Sequence, residues 1–162
     1  RLRVLDEMER AAAGKPLKPS QIVDGFFGTL LRLADDDQRG GIVFLRLLGR
    51  THTEPSEFIR TFLADEYAGV MERYQQALFR ALPDVPRAEI VWRFHFMLGA
   101  TSYAIAGTDA LRLVADWRIE EADMVDRNDR LVPRLMSFLL GGLRAPLPHF
   151  EAAAGDSDFR AA

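Results

Sequence analysis

His95 stands between Phe94 and Phe96, with Trp92 one turn before it and Tyr103 close by on a helical wheel. An imidazole in that setting could hydrogen-bond a carboxylate or carbonyl and titrate near neutral pH. It could equally be a core histidine satisfied by a backbone carbonyl. His52, within Thr51-His52-Thr53-Glu54, reads as an exposed residue at a helix start. His95, His52 and Glu54 would form a facial metal set only if the fold happened to bring them together, so no metal site is expected. Asp35-Asp36-Asp37 lacks the alternating oxygen ligands and terminal glutamate of a calcium loop, and reads as a solvated helix end. Arg46 and Arg50, one turn apart, could face an acidic headgroup but suit a solvated surface better. Ser20, Ser56, Ser102 and Ser137 sit in no strand-turn-helix nucleophile context, and no glycine-rich phosphate loop occurs. No catalytic residue, cofactor or enzymatic activity is expected.

Composition narrows the classes further. The 162 residues include no cysteine, which removes disulfides, thiolate metal sites and a cysteine nucleophile. Net charge is −3, with 21 basic and 24 acidic residues intermixed, so the basic stripe of a self-sufficient nucleic-acid binder is missing. No apolar run approaches the roughly 20 residues that span a bilayer, and no signal peptide is read at the start. A cytoplasmic protein without membrane partners is expected. Residue 1 is Arg, and the first residues already read as mid-helix, which suggests a fragment.

The elements that must position these side chains are helices. The spacing of Leu2, Leu5 and Met8 predicts a helix over 1–13, closed by Gly14 and Pro16. The pairs Ile22/Val23, Phe26/Phe27 and Leu30/Leu31 recur every four residues and predict a second over 19–35, with Pro19 in its first turn. A third, over 41–50, could locally pass for a buried strand, but no partner strand exists. A fourth spans 54–82, with Phe58, Phe62, Tyr67, Met71, Tyr74, Leu78 and Leu82 on its buried side. A fifth covers 86–107, a short one 109–117, and a last 123–143, in which Pro133 should kink the helix or delay its start. Residues 1–143 form one domain, and 144–162 a loosely ordered tail.

Two of these helices carry surplus apolar surface. On 86–107, Trp92, His95, Phe96, Gly99 and Tyr103 share one face, while Ile90, Phe94, Met97, Thr101 and Ile105 share roughly the opposite one. Only the strip with Glu89 and Arg93 suits water. On 123–143 a narrow polar strip of Arg127, Arg130, Arg134, Ser137 and Gly141 faces an apolar arc wider than half the circumference. A surface helix needs a stripe only ~100° wide. The excess predicts a twofold homodimer in which both late helices of two copies form a four-helix bundle.

The run Trp92-Arg93-Phe94-His95-Phe96-Met97-Leu98-Gly99-Ala100, the run Arg130-Leu131-Val132-Pro133-Arg134-Leu135-Met136-Ser137-Phe138-Leu139 and the order of elements carry a resemblance. Over most of 1–143 the chain resembles the C-terminal effector-binding and dimerisation domain of tetracycline-repressor-family (TetR) transcription regulators. The wording of the two late helices is most similar to regulators of lipid metabolism. The resemblance implies an all-α domain of six to seven helices, with the last two long ones forming the dimer bundle. It also implies a transcriptional repressor whose small apolar effector, of lipid-derived type, alters DNA binding. The family's N-terminal helix-turn-helix unit has no counterpart here, so DNA would be contacted only through that absent domain. The implied ligand-binding set is Phe26, Phe27, Leu30, Phe44, Leu48, Phe58, Phe62, Trp92, His95, Phe96 and Tyr103. The implied dimer interface is Ile90, Phe94, Met97, Thr101, Ile105, Leu135, Met136, Leu139, Leu140 and Leu143. The competing reading is a helical interaction module with a filled core and no ligand.

Overall fold

The structure is a computed structural model that describes residues 1–35, 40–53, 56–105 and 127–149. Every element in these ranges is helical. The first, α1 (Leu2–Ala12), buries Leu5. It stops because Ala13 and Gly14 both take the left-handed conformation, at φ 48° and 84°. Glycine holds that conformation without penalty and alanine does not. Pro16 then prevents renewed helix.

The second helix, α2, runs over residues 19–35 and is not uniform. It begins as Pro19–Val23, widens to a π-helix over Asp24–Gly28, returns to α over Thr29–Leu31 and tightens to a 3-10 turn over Arg32–Asp35. The cause is arithmetic. An α-helix turns about 100° per residue, so pairs repeating every four residues would drift about 40° per repeat. One wide π turn takes up that drift. Ile22, Val23, Phe26, Phe27, Leu30 and Leu31 are in consequence all buried. The backbone approach is close: a Cβ on Gly25 would lie 2.6 Å from Met8 Cε and 3.3 Å from the Tyr74 hydroxyl.

α3 spans Gly41–Thr53, three residues beyond the expected end, and packs along α5 (Arg87–Ile105). His52 therefore belongs to the last turn of α3 rather than to a helix start. α4 (Glu57–Ala81) is the longest helix, and its Ser56 cap accepts from the Ile59 amide at 3.5 Å. Its second half buries Tyr74, Ala77 and Leu78, while Phe58 and Phe62 in the first half are exposed. α6 (Arg127–Leu143) includes Pro133 well inside it, so the proline does not delay its start to Asn128 or beyond. Pro133 itself is exposed, and its ring leaves one carbonyl of the preceding turn without a helical partner. The expected helix 109–117, the start of 123–143, Asp36 and Asp37, Glu54 and the end of the tail lie outside the described residues.

The centre of the core is aromatic. Phe26 meets Phe27, Tyr74 and Phe94 edge-on, at ring separations of 4.8, 5.0 and 5.0 Å. Such pairs add roughly 0.5–1.5 kcal/mol each beyond the area they bury. They pin α2, α4 and α5 to one another. Outside, Arg73 bonds Asp6 at 2.6 Å and Glu9 at 2.9 Å, tying α4 to α1.

Candidate functional site

Beside this aromatic centre the helices leave a cavity of about 530 Å³. Arg1 caps it from the head of α1, Phe26, Phe27 and Leu30 come from α2, and Thr51 comes from α3. α4 adds Leu63, Ala64, Tyr67 and Met71, and α5 adds His95, Leu98, Gly99, Thr101, Ser102 and Ile105. Gly99 helps make the space, since a Cβ built there meets no atom within 4 Å. A ligand pocket of this kind is mostly apolar, with a few placed polar groups, and typically holds about 300–1,000 Å³.

The polar groups are few and specific. The guanidinium carbon of Arg1 lies 4.3 Å from the centroid of the Phe26 ring and 5.6 Å from that of Tyr67. Burial pushes the Arg1 guanidinium down from its ordinary value, against the opposing pull of Tyr67 and Tyr74. The Tyr74 hydroxyl donates to the Arg1 carbonyl at 2.9 Å, and burial pushes that phenol up to about 12. Thr101 Oγ1 is buried without a hydrogen-bond partner among the described atoms. Among the described residues, no group of three His, Asp or Glu side chains could hold a metal ion.

Of the residues expected to bind ligand, Phe26, Phe27, Leu30 and His95 line the cavity. Leu48 packs half-buried against the core, and Phe44, Phe58 and Phe62 are exposed away from the lining. Trp92, Phe96 and Tyr103 are exposed on the outer side of α5. The face of α5 expected at the pocket is therefore divided: His95 and Gly99 reach the cavity, and Trp92, Phe96 and Tyr103 do not. Ile90, Phe94 and Met97, expected at a dimer interface, fill the chain's own core, and Thr101 and Ile105 line the cavity. A wheel with two apolar faces cannot say which one meets α2. The choice falls to the face whose Phe94 fits edge-on against Phe26 and lies 5.6 Å from Phe27. On α6, Leu135, Leu139 and Leu143 are likewise buried inside the chain, whereas Met136 and Leu140 are half-buried.

The exposed side of α5 has its own shape. Trp92 and Phe96, 58% and 64% exposed, stack at 5.7 Å. His95 sits against both rings, at 5.9 and 6.0 Å, so it is not a core histidine. With Phe138 of α6, 68% exposed, Trp92 and Phe96 line a groove of about 750 Å³ floored by Met97 and Leu139. Arg93, expected in water, is only 6% exposed. It bonds Glu89 at 2.9 Å, the Leu143 carbonyl at 2.7 Å and the Pro146 carbonyl at 3.4 Å. The Leu143 carbonyl, the last of α6, has no partner within the helix, the Pro146 carbonyl lies just beyond it, and a cation is the natural group to meet them.

Sequence reasoning missed Arg1, Thr51, Leu63, Ala64, Tyr67, Met71, Leu98, Gly99 and Ser102 in the cavity, and Phe138 in the groove. Tyr67 and Met71 carried a signal, since both were read on the buried side of α4. Arg1 carried none, because no long-range contact is written in a chain start. No helix among the described residues is long and apolar enough to cross a membrane. No curated protein and no solved structure matches the chain. A model of the tetracyclin repressor-like, C-terminal domain family matches residues 24–142, from the π turn that shapes the cavity wall to the end of α6. A chain whose described elements are all helical, matched over well more than half its length, belongs to that family: it is a tetracyclin repressor-like C-terminal domain.

Proposed function

We propose that this domain senses a small, mainly apolar effector in its 530 Å³ cavity and transmits occupancy through a twofold dimer. The observation that carries this reading is the cavity itself: apolar walls from α2, α4 and α5, and a handful of polar atoms. The partner surface is the exposed groove side of α5 and α6, around Trp92, Phe96 and Phe138. Pairing two such faces in a four-helix bundle would bury well over ~1,200 Å², enough for a stable, specific interface. Helix-turn-helix heads outside this chain would make the DNA contacts, in the cytoplasm. The effector regulates only by favouring one of two dimer arrangements. This role is one of sensing, without catalysis.

The test is a thermal-shift and calorimetric screen of acyl chains and hydrophobic aromatics, with native mass spectrometry for dimer mass and retained ligand. Gly99→Leu places a side chain in the cavity and should abolish binding while leaving the melting temperature near that of the parent. If no compound binds the parent chain, the domain is an interaction module with an unused void.

A further inference from the structure

The chemistry of the effector is written in the cavity wall. Among the described lining residues, Arg1 is the one Arg or Lys, and none is Asp or Glu. Its guanidinium lies over Phe26 and beside Tyr67, and it forms no ion pair among the described residues. Arginine cannot shed its charge in a protein, and its planar fork presents five donors. Rings satisfy the face of that fork and leave the in-plane donors open. A half-buried cation in an apolar chamber carries a desolvation cost that attraction to an anion from outside offsets. Thr101 lies on the same wall, buried, and its hydroxyl has no partner among the described atoms. Arg46 and Arg50 are exposed and outside the described lining.

We propose that the occupant is an amphiphilic carboxylic acid, its carboxylate held by the Arg1 guanidinium where Phe26 and Tyr67 flank it, its apolar body filling the rest of the cavity. This rests on the reading of the cavity as an effector site. Two parallel N–H···O bonds from guanidinium to carboxylate give geometry as well as attraction. A neutral alcohol of the same shape keeps the apolar contacts and forfeits the charge.

The experiment uses matched pairs on the 162-residue chain: decanoate against decanol, and naphthalene-2-acetate against 2-(naphthalen-2-yl)ethanol, each by isothermal titration calorimetry. In at least one pair the acid should bind about tenfold or more tightly than its alcohol, as a hydrogen bond to a charged group implies. Arg1→Leu should erase that preference and leave the alcohol within about twofold of its parent affinity. Arg1→Lys should restore part of it, since lysine supplies charge without the fork. The backbone anchor survives these changes, because Tyr74 bonds the Arg1 carbonyl and not its side chain. Equal affinity of acid and alcohol in both pairs, or a preference that outlives Arg1→Leu, overturns the proposal while the effector cavity stands. Should neither acid nor alcohol of either pair bind, both readings fall. If Arg1→Leu fails to fold, the acid-to-alcohol ratio on the parent chain decides alone.

Discussion

Arg93→Met is the substitution with the most to say about how the late helices are held. Methionine keeps an unbranched stem in a nearly sealed position but removes three bonds, one to Glu89 and two to the carbonyls of Leu143 and Pro146. Breaking a fully buried ion pair costs about 3–5 kcal/mol, chiefly through the charge left behind. Here the stranded charge keeps some water, because the Glu89 side chain is 20% exposed. Hydrogen bonds to a charged donor are worth roughly 1.5–3 kcal/mol, and their loss leaves two carbonyls to resolvate. The net expectation is a loss of about 2–4 kcal/mol. Urea unfolding should show it as a lower midpoint at unchanged slope, at one fixed protein concentration because association would otherwise enter. The amides of Arg144 and Ala145, which bond back into the last turn of α6, should exchange faster in the variant. Glu89→Gln should cost less than Arg93→Met, since arginine keeps both carbonyls. A variant within about 0.5 kcal/mol of the parent would refute the reasoning and class Arg93 with surface pairs that contribute almost nothing.

Tyr74→Phe should remove an alkaline weakness. The folded phenol is raised to about 12 from 10.0, so below pH 10 both states are protonated and the contribution is whole; as pH rises from 10 towards 12 the unfolded chain ionises first and stability falls. Parent and variant melting temperatures should converge across that window. Phe26→Ala should cost about 3–5 kcal/mol in chemical denaturation, as expected when a buried ring is removed and its partners are left facing a cavity. Replacing Trp92 and Phe138 together by glutamate should convert a dimer to a monomer in sedimentation at tens of micromolar, with helicity unchanged by circular dichroism. A parent chain that sediments as a monomer rejects the dimer half of the proposed function.

Much of the fold was legible because helical patterns are local. The pairs of α2 gave its buried face, and Gly14, Pro16 and Pro19 marked its approach. What could not be read was anything that depends on which partner a face meets. α5 is apolar on two sides, so its wheel permitted Trp92 or Phe94 in the core, and only packing against Phe26 decides. Arg93 looked solvated because its two carbonyl partners lie 50 and 53 residues away. Phe58 and Phe62 follow the same stripe as Tyr74 and Leu78, yet α4 is buried in its second half alone. For the cavity, four expected residues were placed on its wall. The one arginine among its described lining residues was not foreseen, since nothing local distinguishes Arg1 from a surface arginine.

The π turn of α2 has a consequence for how this chain should compare with its relatives. A π turn is an α-helix with one residue inserted, so the flanking turns keep the positions they would hold without it. A relative lacking one residue between positions 24 and 28 would still superpose on Ile22/Val23 before and Leu30/Leu31 after. In an alignment such a chain shows a single-residue gap in the middle of an unbroken helix, where gaps are otherwise resisted. The gap would remove a residue from the wall that holds Phe26 and Phe27. Lineages on either side of that deletion would then share a scaffold and differ in what their chamber accepts.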